Sequence, residues 1–168
     1  MADFAKYGIV LFAALIIAGW WISRKKPATR MAAALIVPVG AILAYLLQQL
    51  IDNGVNEARP YALHPEILVL VSRTTDPSFP SDHACAAGAI AAGLFFVNRK
   101  LAVTATACAA LLAFSRVYSG AHWPADVMVG LVFGAAMAIA TMMVLRNPVS
   151  TLVEKLRQSP LRWAVQAK

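Results

Sequence analysis

The chain has 168 residues, of which 60% are hydrophobic and 14% charged, and a mean hydropathy of +0.67. These values exclude an ordinary soluble domain. The formal charge of +7 does not come from basic residues interleaved with aromatics along one element. A nucleic-acid partner is therefore not expected, and membrane topology accounts for the charge.

A membrane-crossing helix needs roughly 20 apolar residues. In chain order, the first such run is Phe4 to Ile22, ending at Ser23-Arg24-Lys25-Lys26-Pro27. Its positive charge follows the apolar run and no small-residue cleavage site is evident, so it reads as a retained anchor rather than a secretory signal. The second is Met31 to Ile51, in which Pro38 and Gly40 are tolerable as a kink. Asp52 to Pro80 is a polar connection, and its apolar stretch Glu66 to Val71 is too short to cross, which predicts a surface or re-entrant helix there. Ser81 to Val97, Leu101 to Tyr118 and Pro124 to Leu145 supply three more spans. From Asn147 the chain mixes Leu, Val and Trp with Lys and Arg, as an interfacial amphipathic helix does. The fold class is all-α: an integral membrane bundle of about five helices over residues 1–146, with a cytoplasmic amphipathic tail over 147–168.

Orientation follows from the basic residues. With the first loop cytoplasmic, that side holds Arg24, Lys25, Lys26, Arg30, Arg99, Lys100, Arg146, Lys155, Arg157, Arg162 and Lys168, leaving Lys6, Arg59, Arg73 and Arg116 on the other. The positive-inside rule then puts the amino terminus out, the carboxyl terminus in, and three polar clusters together at the outer face. These are Arg59-Pro60, Pro80-Ser81-Asp82-His83, and the run from Ser115-Arg116 to His122 and Asp126. Ionisable residues beside hydrocarbon are functional suspects by default.

The clusters carry complementary chemistry. His122 and Asp126 are four apart near a helix start, so the carboxylate can hold one imidazole nitrogen and leave the other as a nucleophile. Arg116 and Arg59 present guanidinium forks suited to phosphate oxygens. Ser81 reads as an N-cap after Pro80, which opens a helix whose N–H groups attract an anion. His83 in that first turn can protonate a leaving oxygen. Nucleophile, orienter, cationic clamps and acid are the parts phosphoryl transfer needs. No carboxylate cluster suggests a two-metal site, so neither metal nor other cofactor is expected. Cys85 and Cys108 lie in apolar runs without ligand spacing.

Between Arg59 and Asp126 the chain resembles the type 2 phosphatidic acid phosphatase superfamily of integral-membrane lipid phosphatases. Arg59-Pro60 matches the end of its first motif, Pro80-Ser81-Asp82-His83 the second, and Ser115-Arg116, His122 and Asp126 the third. The resemblance implies a phosphohistidine on His122, with Asp126 orienting it and His83 protonating the leaving group. It also implies that Arg59, Arg116 and Ser81 hold the phosphate, with Pro80, Asp82 and Ser115 alongside. Two departures stand out: Asp52 where the family has Lys, with Arg73 as a candidate replacement, and Asp82 where the family has Gly. A carboxylate at 82 repels phosphate unless it points away or pairs with an arginine. Both departures are similar to the bacitracin-resistance-type branch, the small undecaprenyl pyrophosphate phosphatases of the bacterial cytoplasmic membrane, which implies a lipid pyrophosphate substrate. Alternatives are a phosphatase for phosphatidic acid, phosphatidylglycerol phosphate or a polyprenyl-phosphoryl sugar phosphate, or a non-catalytic membrane scaffold.

Overall fold

The computed structural model describes residues 2–167, without the side chains of Ala2 and Lys6. Met1 and Lys168, the outermost residues of the two predicted units, and the Lys6 side chain of the charge count therefore lie outside the description. Among the described residues every regular element is helical: α1 (Ala2–Ser23), α2 (Ala28–Val55), α3 (Pro60–Leu63), α4 (Asp82–Leu94), α5 (Arg99–Tyr118), α6 (Pro124–Arg157) and α7 (Arg162–Val165). Three segments, Ala28–Leu63, Arg99–Tyr118 and Pro124–Arg157, are long and apolar enough to cross a membrane. The apolar part of α1, Tyr7–Ser23, is shorter.

The centre of the bundle is α4. At 13 residues it spans only about 20 Å, less than a bilayer core, yet α6, α2 and α5 all pack against it. After Asp82 and His83 its sequence is apolar on every face, as a helix surrounded by protein requires, and Ala84, Cys85, Ala87, Gly88, Ala89, Ile90, Ala91 and Leu94 are buried. The small residues bring α4 and α6 into backbone contact. A methyl group added to Gly134 would overlap the Cys85 carbonyl, one on Gly88 would overlap the Leu131 backbone, and one on Gly130 would lie 2.8 Å from the Ser81 carbonyl. The Gly130–Gly134 pair thus serves packing within the chain.

Helix ends depart from the sequence expectations at three places. Residues 66–71 are not helical. Pro65 opens the stretch, the β-branched residues Ile67, Val69 and Val71 disfavour a turn this short, and the Leu70 N–H goes to the Ser119 carbonyl at 3.2 Å. The short helix of this connection is instead α3, started by Pro60 at its first position. At the other end, α6 runs unbroken through Pro148 to Arg157, so the tail predicted from Asn147 begins inside a helix. Ser150 and Thr151 hydroxyls back-bond to the Asn147 carbonyl there. Beyond Gln158 the chain folds back: Trp20 Nε1 donates to Ala164 O at 3.0 Å, and Arg157 Nη2 to Lys26 O at 2.7 Å. This end of the bundle gathers the basic residues, and the polar clusters lie at the opposite end.

The close contact of α4 with α6 predicts that Gly134→Val lowers the melting temperature sharply and cuts the yield of folded protein, overpacking of this kind costing about 1–3 kcal/mol or more. Gly54→Ala, where nothing lies within 4 Å, is expected to be neutral or stabilising by up to about 1 kcal/mol. Thermal unfolding in detergent checks both.

Candidate active site

Each element end at the polar face delivers one part of the site. Asn56 caps α2 in the left-handed region (φ 50°), a conformation Asn tolerates, and turns the chain so that Arg59 precedes α3. The last turn of α5 carries Arg116. His122 lies in the connection before α6, whose N-cap is Trp123, and Asp126 is in the first turn. The His122 and Asp126 side chains are 1% and 0% exposed, although both are polar, so their partners decide what they can do.

Those partners set the histidine tautomer. His122 Nδ1 is 2.9 Å from the Ser78 carbonyl oxygen and 3.4 Å from Asp126 Oδ2. A carbonyl and a carboxylate only accept, so Nδ1 carries the proton. Nε2 faces Arg116 Nη2 at 3.1 Å and Arg59 Nη1 at 3.3 Å. Guanidinium groups only donate, so Nε2 presents its lone pair. Burial, above all, pushes the His122 pKa below its ordinary 6.5, and the Arg116 and Arg59 charges act the same way, opposed by Asp126. The imidazole is therefore neutral, with a lone pair aimed between two cations.

The arginines are held by further bonds. Arg59 Nε donates to Asp76 O at 2.9 Å, Nη2 to Asp76 Oδ2 at 3.1 Å, and Nη1 to Ala121 O at 3.1 Å. Arg116 Nη1 donates to Ala5 O at 3.1 Å, tying α1 to the site. Asp126 Oδ2 accepts from Trp123 N at 2.9 Å and from the Ser78 hydroxyl. Trp123 Nε1 donates to Ala58 O at 3.0 Å, which joins the loop bearing Arg59 to the loop bearing His122.

Two cavities open onto this cluster. One, of about 190 Å³, is lined by Gln48, Asp52, Arg59, Asp76, Asp82 and His122 among others. The second, of about 230 Å³, includes Arg59, Asp76, Asp82, His83 and Arg116. Arg59, Asp76 and Asp82 border both.

Of the residues singled out from sequence, His122, Asp126, Arg59, Arg116, His83, Asp82 and Pro80 come together here. Pro80 lines the first cavity, and its carbonyl accepts from Gln48 Nε2 at 2.9 Å. Ser115 does not join them: its hydroxyl donates to Leu112 O at 2.7 Å, within its own helix. Ser81 is the N-cap position of α4 but makes no side-chain cap bond, and its N–H is taken by the Asp126 carbonyl at 3.1 Å. Asp82 pairs with His83 rather than with an arginine, Oδ1 lying 2.8 Å from His83 Nδ1 and accepting His83 N at 2.7 Å. Arg73 stands 5.6 Å over the Tyr61 ring and lines neither cavity, so it does not replace the missing lysine. Asp52 occupies the lysine's place with Gln48 and Gln49 beside it. His64 is exposed and paired with Glu66.

Sequence reasoning missed Ser78, Asp76 and Gln48. Ser78 precedes the second cluster by two residues and Asp76 by four, so proximity to Pro80 was the one available signal. Gln48 had another, an amide inside an apolar span.

Two histidines, two arginines and a buried aspartate thus meet at one end of the bundle, within the part of the chain that matches known proteins. The PAP2 superfamily profile matches residues 33–149. The chain belongs to the PAP2 superfamily. It is 32% identical to undecaprenyl-diphosphatase BcrC of Bacillus subtilis over 79% of this chain and 66% of that protein. It is 34% identical to lipid A 1-phosphatase of Rhizobium johnstonii over 71% of this chain and 53% of that protein. It is likewise 34% identical to decaprenylphosphoryl-5-phosphoribose phosphatase of Mycobacterium tuberculosis over 61% of this chain and 56% of that protein. The chain thus spans between about half and two thirds of these relatives' lengths. No solved structure matches it. The residues matched to the PAP2 superfamily include all three polar clusters.

The environment of His122 predicts that its imidazole titrates below pH 6.5 in purified protein. Histidine-selective ¹⁵N NMR in detergent checks this: the neutral form with Nδ1 protonated is expected at pH 6.5, and a dominant imidazolium there would contradict the geometry.

Proposed function

We propose that this protein is a membrane-embedded lipid phosphatase that hydrolyses a polyprenyl pyrophosphate to the monophosphate through a phosphohistidine on His122. The observation that carries the reading is the His122 ring: its Nδ1–H is held by buried acceptors, and its Nε2 lone pair points between two guanidiniums. Bound phosphate oxygens would take over the guanidinium forks of Arg59 and Arg116, and Arg59 would exchange its Asp76 carboxylate for phosphate. Nε2 then forms a bond to phosphorus while the bridging P–O bond breaks, its electron pair leaving on oxygen. His83, oriented by Asp82, protonates that oxygen. Water next attacks phosphorus, giving its proton to His83, and the P–N pair returns to Nε2 as phosphate departs. Positive charge that builds on the imidazole is met by Asp126, and negative charge on the phosphoryl oxygens by the two arginines.

The proposed setting is the bacterial cytoplasmic membrane, with α2, α5 and α6 as full-length crossings, α1 and the shorter α4 completing five together with their flanking residues, and the site at the outer face. Arg24, Lys25, Lys26, Arg157 and Arg162 at the opposite end support that orientation. The substrate headgroup and the bilayer are the partners. The resemblance to a named undecaprenyl-diphosphatase supports a pyrophosphate. A second reading has its own observation: the first cavity is lined by the acceptor groups of Asp52, Asp76, Asp82 and Gln48, which suit hydroxyls of a sugar phosphate carried on a lipid.

Phosphate release from a panel of polyprenyl pyrophosphate, polyprenyl-phosphoryl sugar phosphate, phosphatidic acid and phosphatidylglycerol phosphate, each assayed in EDTA, separates these readings. Polyprenyl pyrophosphate is expected to give the highest kcat/KM without added metal; faster release from phosphatidic acid overturns the assignment. His122→Ala is expected to lose about 10³-fold or more in kcat, whereas Val132→Ala, an exposed α6 position, stays near wild type. Equal activity in both variants would favour a scaffold carrying an adventitious hydrolase. The acid limb of kcat/KM is expected below pH 6.5, because neutral His122 persists there and is lost as pH falls through its depressed pKa.

A further inference from the structure

Ser78 belongs to none of the three motif clusters, yet it is fully buried and touches both members of the His122–Asp126 pair. Its carbonyl oxygen is the nearest acceptor to His122 Nδ1, at 2.9 Å against 3.4 Å for Asp126 Oδ2. Its hydroxyl donates to Asp126 Oδ2 at 2.5 Å. Its N–H donates to Glu57 O at 2.8 Å, two residues before Arg59, so the backbone that carries these contacts is itself anchored to the clamp-bearing loop.

We propose that Ser78 is a positioning residue of the phosphoryl-transfer site: its carbonyl sets the tautomer of His122, and its hydroxyl fixes where the Asp126 carboxylate stands beside the ring. This rests on the reading of His122 as nucleophile. The division of labour follows from the distances. The carbonyl is neutral and accepts the Nδ1 proton without drawing it off the ring, which keeps Nε2 a lone-pair donor. Asp126, held back by the Ser78 hydroxyl and Trp123 N, acts at 3.4 Å as a fixed negative charge for the positive imidazole of the phosphorylated state. A freed carboxylate would close onto Nδ1–H, bind the imidazolium more tightly before phosphate arrives, and leave the nucleophile protonated over more of the pH range.

Ser78→Ala removes the hydroxyl and keeps the carbonyl. We expect kcat to fall roughly 10- to 100-fold, the usual loss for a partner that orients a reacting group, with KM changed less than about threefold because substrate contacts remain. Ser78→Cys, of similar size but a weak donor, is expected to stay slow; recovery to wild-type kcat in Cys would mean the hydroxyl only fills space and would overturn the proposal. In a cycle with Asp126→Asn, the double variant should be no slower than the slower single, because Ser78 acts through Asp126. Losses that multiply, or a Ser78→Ala kcat within twofold of wild type, also overturn it. Independently of turnover, the His122 titration midpoint read by NMR should move up in Ser78→Ala while the other charges facing the ring, Arg59, Arg116 and Asp82, are unaltered; an unmoved midpoint overturns it. His122→Ala, assayed alongside, keeps the two readings apart. If wild-type protein releases no phosphate from any substrate, the phosphatase reading fails and the NMR midpoint alone decides the placement of Ser78.

Discussion

Backbone contact between α4 and α6 is the constraint on which the rest depends. Gly88 on one helix and Gly130 and Gly134 on the other leave no room for even a methyl group, and their approach places the Ser81 N–H on the Asp126 carbonyl. That bond joins the start of α4, with Asp82 and His83, to the start of α6, with Asp126. Within a bilayer there is no hydrophobic drive between helices, so close packing of small residues is what holds such a pair together. A wider separation would pull the proposed acid away from the proposed nucleophile, although neither residue takes part in the packing.

The second constraint is electrostatic. Arg59, Arg116, His122 and Asp126 are all buried, and a buried charge without partners costs several kcal/mol. The protein answers with acceptor oxygens of Ala5, Asp76 and Ala121 for the guanidiniums, and with the Ser78 hydroxyl and the Trp123 N–H as donors to the Asp126 carboxylate. The same bonds that offset burial also hold each group in one orientation. Stability and preorganisation therefore come from one network, and the neutral state of His122 follows from its burial beside two permanent cations.

Much of this was legible in the chain itself. The apolar runs and their charged punctuation located the long helices, and the order Arg59, His83, Arg116, His122, Asp126 pointed to the PAP2 superfamily. The failures are local and share a cause. Residues 66–71 looked like a short helix by hydropathy, but their β-branched Ile67, Val69 and Val71 favour an extended chain, and Leu70 pairs with Ser119 across the loop instead. Composition sets a tail apart from Asn147 onward, but α6 continues through Pro148, which removes only one hydrogen bond from a helix held over many turns. Arg73 was a candidate by location alone, and its guanidinium stands over the Tyr61 ring instead of lining either cavity.

By itself, the sequence determined the long apolar helices, the match to the PAP2 superfamily and the ionisable residues that carry its motifs, because hydropathy and motif spacing are properties of consecutive residues. Only the tertiary structure decided how those residues are oriented. Ser78 and Asp76 sit 44 and 17 positions from the groups they hold, His122 and Arg59, and Asp82 proved a partner for its neighbour His83 rather than for an arginine. Such pairings depend on which backbone carbonyls and carboxylates a buried donor meets after the helices close, and no local pattern records that.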